Sequence, residues 1–241
     1  MIFIAKYTDQ GGRKTNEDSC DIFTKGNELC AVVADGLGSY GGGDAASMCA
    51  VKEIEKAYRQ EAGEWSSERI YRCLSQINTA VYQMQTPTCK MKTTIAVLFV
   101  SSTQCRWAHV GDTRIYHFVN NILKDMTLDH SVPQMAVLSG EITQAQIRYH
   151  KDRNKLLRAL GYQTAIQIDI SEPVSIEQDN HAFLLCSDGF WEYVEENEMV
   201  ATLSEADNPV VWLNKMTVIL RSRVPKNHDN NTAVAVWIKN K

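Results

Sequence analysis

The chain has 241 residues, of which 44% are hydrophobic and 22% are charged, and its formal net charge is −4. This composition is that of a globular protein with a substantial core, and the negative balance argues against nucleic acid or a membrane surface as the main partner. We see neither an uncharged apolar run of membrane-spanning length nor an N-terminal leader pattern.

The cysteines indicate the compartment. Seven are scattered along the sequence without a C-x-x-C pair, so the spacing of a zinc site is absent. A domain of this size does not need disulfides for stability. We therefore expect a reduced, cytoplasmic protein.

The first part of the chain predicts strands followed by helices. Residues 2–7 are strand-like, and residues 21–24 and 28–34 predict a strand pair joined by a turn at Gly26-Asn27. Asp44 is placed to cap a helix over 44–58. Ser66 or Ser67 caps a second helix, whose apolar residues recur at helical spacing: Ile70, Leu74, Ile77, Val81 and Met84.

The central part predicts an antiparallel meander. Residues 93–100, 105–110 and 114–119 are β-rich runs with short turns between them. Residues 166–170 and 181–186 resume the strands after a gap.

The gap between these strands, residues 131–161, is more polar and less periodic, which predicts a flap lying over another part of the molecule. Within it, Thr143 and Gln146 form a capping box, and Gly161 is placed to end a helix.

The last part predicts a helix beginning at Asn208-Pro209 and a closing strand over 232–238. Strands do not alternate regularly with helices, which disfavours a doubly wound parallel sheet. We predict an α+β fold in a single domain over residues 1–241.

Two apolar runs end in the dipeptide Asp-Gly, at Asp35-Gly36 and Asp188-Gly189. Each run predicts a buried strand that delivers an aspartate to a turn. Burying a lone carboxylate is very costly, so two such strand ends predict a shared cation. Asp-Gly is also a common turn dipeptide, and each motif taken singly is more often structural.

Converging carboxylates bind Mg²⁺ or Mn²⁺, which prefer oxygen ligands, and two such ions can activate a water for phosphoryl transfer. Arg13, four residues before Glu17, is suited to bind the phosphate oxygens through its guanidinium. The alternative for Arg13 is an ordinary solvated surface residue.

Taken together, the acidic motifs resemble a known family, the metal-dependent serine/threonine protein phosphatases of type 2C, in a small bacterial form. The motifs occur in the family's order: Arg13-x-x-Asn16-Glu17-Asp18, Asp35-Gly36-x-Gly38, Val110-Gly111-Asp112-x-Arg114, Asp129-His130-Ser131, Ser187-Asp188-Gly189 and Asp229-Asn230-x-Thr232. The resemblance covers essentially the whole chain.

The resemblance implies a four-layer αββα sandwich, with two antiparallel sheets flanked by helices and the flap near 131–161. It implies that Asp35 bridges two ions and that the Gly36 carbonyl adds a ligand. Asp188 and Asp229 would hold the first ion.

Further roles follow from the same resemblance. Glu17 and, more weakly, Asp18 would act around the second ion through water. Asp112 together with Asp188 would hold a third, weaker ion, and Arg13 would bind the substrate phosphate. The cofactor that the resemblance implies is thus Mn²⁺ or Mg²⁺, with two core ions and the weaker third ion in addition to them.

Three positions depart from the family's pattern, one of them being Lys92, which precedes Thr93-Thr94 where the family usually has glycine. Some relatives carry a histidine as proton donor where this chain has Leu37, which leaves the general acid unassigned, with a water on the metal as the default. Ser39 stands where many bacterial relatives have glycine, so we expect the loop after Asp35 to differ.

The histidines are predicted to be structural. His130 is expected to form hydrogen bonds at the base of the flap, and His109 and His181 to lie in the core. Oxygen ligands dominate sites of this kind, which disfavours histidine as a metal ligand.

The expected function is hydrolysis of phosphoserine and phosphothreonine by a metal-bridging water, without a covalent phosphoenzyme. Its partners would be phosphorylated proteins, among them a Ser/Thr kinase or its substrates in a signalling system, and we expect a monomer.

One alternative is a pseudophosphatase that only binds phosphoproteins. Another is a phosphatase with Asp35 as nucleophile, which is disfavoured because Leu37 occupies the position of the second acid that this chemistry needs.

Overall fold

A computed structural model describes residues 1–38, 41–60, 63–163 and 165–240. Ser39 lies outside these ranges, so the expectation for its loop stays a prediction. Within them, no helix combines the length and the apolar character needed to cross a bilayer.

The strands in chain order are β1 (Ile2–Asp9), β2 (Asp18–Lys25), β3 (Glu28–Asp35), β4 (Ile95–Val100), β5 (Gln104–Val110), β6 (Arg114–Val119), β7 (Ile122–Met126), β8 (Asp169–Ile170), β9 (Val174–Ser175), β10 (His181–Cys186) and β11 (Asn231–Ile238). The helices are α1 (Gly43–Gln60), α2 (Ser67–Gln83), α3 (Val132–Leu138), α4 (Asp188–Trp191), α5 (Glu196–Ser204) and α6 (Pro209–Arg223), with a 3₁₀ helix over Gln144–Tyr149.

The strands form two antiparallel sheets. One has the order β1-β11-β10-β6-β7, and the other has the order β2-β3-β4-β5-β8, with β9 also pairing with β5. Three hydrophobic clusters separate four layers. One cluster joins α1 and α2 to the second sheet, one joins α5 and α6 to the first sheet, and the third lies between the sheets. This is the predicted αββα sandwich.

The inter-sheet cluster explains why the strongest strand predictions succeed. Val33 of β3, Leu185 of β10 and Val234 of β11 are fully buried there, while their chain neighbours face the helix layers. Strands covered on both sides need continuous apolar runs, which is the pattern that the sequence shows.

Several predicted boundaries are corrected by the structure. β2 begins at Asp18, three residues before the predicted 21, because Asp18 pairs with Asp35 across the strands. The strand predicted over 166–170 covers only Asp169–Ile170 in the structure. Gly161 does not end a helix: the capping box at Thr143 begins a 3₁₀ helix that stops at Tyr149, and the chain around Gly161 is not helical.

Candidate active site

The predicted site residues meet at one end of the sandwich. They line a cavity of about 510 Å³ formed by Arg13, Glu17, Asp35, Gly36, Leu37, Gly38, Asp112, Asn154, Leu156, Asp188 and Asp229. Every residue predicted for the site lies in this wall except Asp18.

Strand ends deliver the acids to the cavity. Asp35 is the last residue of β3. Asp188 follows the end of β10, and Asp229 precedes the start of β11, the antiparallel neighbour of β10. Antiparallel pairing places the end of one strand beside the start of the next, so acids far apart in sequence become neighbours.

These acids disturb one another's ionisation. Burial, followed by the charges of Asp18 and Asp188, raises the pKa of Asp35 well above its usual range. Burial and the charge of Asp188 do the same to the pKa of Asp112. The pKa of Asp188 rises to about 6 through burial and the charge of Asp229. The cavity therefore holds more negative charge than its own cationic groups neutralise.

Asp18 lies behind the cavity wall. Its Oδ2 accepts a hydrogen bond from Ser187 Oγ at 2.7 Å, whereas its Oδ1 is buried without a protein partner. Burial, opposed in part by the bond from Ser187, raises the pKa of Asp18 to about 7. A buried, unsatisfied carboxylate oxygen needs a water or a cation.

Arg13 reaches across the cavity mouth. Its Nη2 donates to Asp229 Oδ2 at 2.6 Å, although its side chain remains 54% exposed. The guanidinium is therefore an ion-pair partner of a site acid, with surface left to bind a second anion.

Glycines allow the close packing around Glu17. A Cβ atom on Gly38 would lie 2.0 Å from Glu17 Oε2, and one on Gly36 would lie 2.2 Å from the Gly43 carbonyl oxygen. Asn230 fixes the backbone of the same segment, since its Oδ1 accepts from the Glu17 N–H at 2.8 Å. Asn230 therefore holds the backbone of the loop that carries Glu17.

The donor set fits hard divalent cations. The cavity offers carboxylate oxygens from five separate segments of the chain, and Arg13 is the single cationic residue among those that line it. Oxygen ligands and excess negative charge are what Mg²⁺ and Mn²⁺ require.

A sequence model of the family described as protein phosphatase 2C matches residues 10–216. The chain belongs to the protein phosphatase 2C family. It is therefore a phosphoprotein phosphatase, and the resemblance found in its motifs is confirmed.

Known members of the protein phosphatase 2C family are similar over most of the chain. The serine/threonine phosphatase stp of Listeria monocytogenes is 32% identical over 201 residues, which cover 80% of this chain and 79% of the relative. The crystal structure of Stp1 from Staphylococcus aureus superposes with a TM-score of 0.87 at 26% identity, covering 100% of this chain and 96% of the other. A PstP catalytic domain solved with 2 manganese ions shares the fold, with a TM-score of 0.80 at 23% identity and 99% coverage of both chains.

Sequence reasoning missed part of the phosphatase's cavity. Asn154 and Leu156 of the flap form one wall, and nothing in the irregular sequence of that region singles them out.

Glu192 lies one helical turn after Asp188, and burial together with the charge of Asp188 raises the pKa of Glu192 to about 7. Arg153 of the flap donates to Glu192 at 2.8 Å. The i,i+4 spacing of the two acids was the available signal.

A buried ion pair supports the Asp112 turn of the phosphatase from behind. Arg114 grips Asp129 in a bidentate fashion, with bonds of 2.8 and 2.7 Å. The guanidinium stacks 3.5 Å from the Trp191 ring, and Trp191 Nε1 donates to the Asp112 carbonyl at 2.9 Å. These contacts explain why the motif contains Arg114 two residues after Asp112.

Proposed function

We propose that this member of the protein phosphatase 2C family hydrolyses phosphoserine and phosphothreonine on proteins and depends on Mn²⁺ or Mg²⁺. The observation that carries the proposal is the cavity in which Asp35, Asp112, Asp188 and Asp229 converge beside Arg13. The relatives named as serine/threonine phosphatases support the substrate class.

In the proposed enzyme, Asp35, Asp188 and Asp229 would hold the core ions together with the Gly36 carbonyl, while Glu17 and, more weakly, Asp18 would act around the second ion through water. Asp112 with Asp188 would hold a third ion. Bound divalent ions would neutralise these carboxylates and lower the pKa of a water that attacks phosphorus.

The chain's own residues bind and orient the substrate. Arg13 binds the phosphate oxygens with the donors that Asp229 does not occupy. Asn154 and Leu156 of the flap border the space where the phosphorylated segment would lie. Leu37 lines the cavity without a group that could donate a proton to the leaving serine oxygen. We further propose one such domain over 1–241, acting as a monomer in the cytoplasm on a Ser/Thr kinase or its substrates.

Phosphate release from a phosphothreonine peptide tests the proposal. Wild type should be active with millimolar Mn²⁺ and inactive in EDTA, and Asp35→Asn and Asp188→Asn should each lose activity by at least about a hundredfold. Asp207→Asn is the matched control, because Asp207 is exposed and is not among the residues that line the cavity. Full activity in Asp35→Asn would contradict the proposed roles.

Two other outcomes would identify the alternatives. A wild-type protein that binds the phosphopeptide but releases no phosphate with any divalent ion would be a pseudophosphatase. A trapped phosphoaspartate on Asp35 would show a covalent mechanism instead.

A further inference from the structure

Two stacked histidines and an aspartate lie beside the Gly111-Asp112 turn. The rings of His109 and His130 are parallel to within 19°, with centroids 4.5 Å apart, and both side chains are buried. Together with Asp169 they form a group whose possible ligand atoms all lie within 4.8 Å of one another. Spacing alone would therefore permit a metal ion here.

The hydrogen bonds favour a different role. The Gly111 N–H donates to His130 Nδ1 at 3.1 Å, so this nitrogen carries no proton. The pKa of His130 is lowered to about 4 by burial and by His109, so the ring is neutral at physiological pH and its proton lies on Nε2. A protonated Nε2 cannot ligate a cation.

Asp169 is placed to fix that tautomer. Its Oδ2 lies 3.3 Å from His130 Nε2 and is placed to accept a hydrogen bond from this nitrogen, while Arg158 Nη1 lies 3.1 Å from the same nitrogen and competes with Asp169 for it. The other oxygen of Asp169 accepts from Arg158 Nη1 at 3.0 Å. The guanidinium next to this carboxylate also occupies the space that a metal would need.

His130 holds Gly111 at two points. Besides accepting from the Gly111 N–H, it donates its own backbone N–H to the Gly111 carbonyl at 2.9 Å. Gly111 has φ of +106°, and a Cβ there would lie 2.5 Å from Thr94 Cγ2, so the turn has no freedom to accept another residue. The orientation of the next residue, Asp112, depends on this turn.

We propose that His130 is a positioning residue for Asp112 and that Asp169 acts through it by selecting the tautomer that grips Gly111. The inference rests on the proposed function, in which Asp112 is a metal ligand. Groups that orient a ligand in this way typically change metal affinity by about tenfold or more when removed.

Ring nitrogen chemical shifts test the tautomer without any activity. In ¹⁵N-labelled, metal-free wild type, His130 should show an unprotonated Nδ1 and a protonated Nε2. In Asp169→Ala the ring should become a mixture of tautomers, whereas Glu172→Ala, a nearby exposed acid, should leave it unchanged. A protonated Nδ1 in the wild type would overturn the proposal.

Manganese dependence tests the consequence. His130→Ala and Asp169→Ala should each raise the Mn²⁺ concentration for half-maximal activity by about tenfold, with a smaller change in kcat at saturating metal. The double variant should be no worse than His130→Ala, since Asp169 acts through His130. His130→Asn keeps an acceptor for the Gly111 N–H and should restore most of the affinity.

The outcomes separate this inference from the proposed function. A wild-type protein that is inactive but shows the expected tautomer would refute only the proposed enzyme activity. In that case, calorimetry on the same variants would measure Mn²⁺ affinity in place of the activity assay. Additive effects of the two alanine variants, or unchanged Mn²⁺ dependence, would overturn the inference. Stoichiometric Zn²⁺ binding that is lost in Asp169→Ala would overturn it in favour of a metal site. If His130→Ala does not fold, Asp169→Ala still tests the inference. This variant should fold, because the Asp169 side chain is 54% exposed.

Discussion

At the scale of single residues, Arg13 pairs directly with Asp229, one of the acids of the cavity. The hydrogen bond to Asp229 raises the pKa of Arg13, and the charges of Asp188 and Glu17 add to the effect. Only Nη2 of Arg13 is bonded to Asp229, so the remaining donors of the exposed guanidinium are available to an anion such as a phosphate.

Replacing Arg13 should therefore affect substrate binding more than chemistry. Arg13→Ala should raise KM for a phosphothreonine peptide by about tenfold or more, since hydrogen bonds to charged groups contribute about 1.5–3 kcal/mol. Arg13→Lys should be intermediate, because it keeps the charge and loses the bidentate geometry. Steady-state kinetics at saturating Mn²⁺ measure this, with Arg59→Ala, an exposed helix arginine paired with Glu55, as control. An unchanged KM in Arg13→Ala would refute the phosphate-binding role.

At the scale of elements, the start of α2 shows a choice that the sequence left open between two adjacent serines. Ser66 has extended backbone angles, and its side chain accepts a hydrogen bond from the Arg69 N–H at 3.3 Å. Ser67 is already helical, and its hydroxyl instead accepts from Arg106 on the neighbouring strand β5. An N-cap residue must have non-helical backbone angles, and its side chain must accept a hydrogen bond from an N–H of the first turn that follows it. Only Ser66 meets both conditions.

The two serines give a matched pair for a stability measurement. Ser66→Ala should lower the free energy of unfolding by about 1 kcal/mol, because an orphan N–H of the first turn loses its acceptor. Ser67→Ala should cost less, since its contact with Arg106 is at the surface. Urea unfolding measures the free energy of unfolding of both variants. A larger decrease in Ser67→Ala than in Ser66→Ala would show that the cap is assigned to the wrong residue.

At the scale of the whole molecule, the fold gathers buried acids where the ends of both sheets meet. Each of these carboxyls binds a proton more readily in the folded than in the unfolded chain, with the pKa of Asp188 at about 6 and that of Asp18 at about 7 against an ordinary 3.8. At pH values between 3.8 and about 7, these carboxyls therefore hold more protons in the folded state than in the unfolded state. The contribution of the acids to stability is therefore present at low pH and is lost as pH rises through the folded pKa values.

Relative to Asp188→Asn, metal-free wild type should accordingly lose stability as pH rises from about 4 to about 7, because the buried histidines, whose lowered pKa values act in the opposite direction, are common to both proteins. Added Mn²⁺ should restore the stability of the wild type most strongly at the upper end of this range. Urea unfolding at several pH values, with EDTA or with Mn²⁺, measures both effects. Asp188→Asn should flatten the metal-free profile and reduce the stabilisation by Mn²⁺. A metal-free profile with the same pH dependence in wild type and in Asp188→Asn would contradict the electrostatic account.

The sequence predicted the parts of the fold that local pattern governs. The continuous apolar runs of β3, β10 and β11 predicted strands because those strands are covered on both faces. It missed β7, whose residues are mostly exposed, and the short helices α4 and α5, because elements of this length depend on packing against distant segments.

For the site, the sequence by itself determined which acids end strands or turns and, through their order, the family. The tertiary structure decided what surrounds them: Asp18 behind the wall with Ser187, Arg13 on Asp229, Glu192 beside Asp188, and His130 under Gly111. Strand periodicity and turn chemistry act over a few residues and can be recognised in the printed sequence. Burial, charge coupling and tautomer choice arise between segments up to 216 residues apart, and they exist only once the sheets have packed.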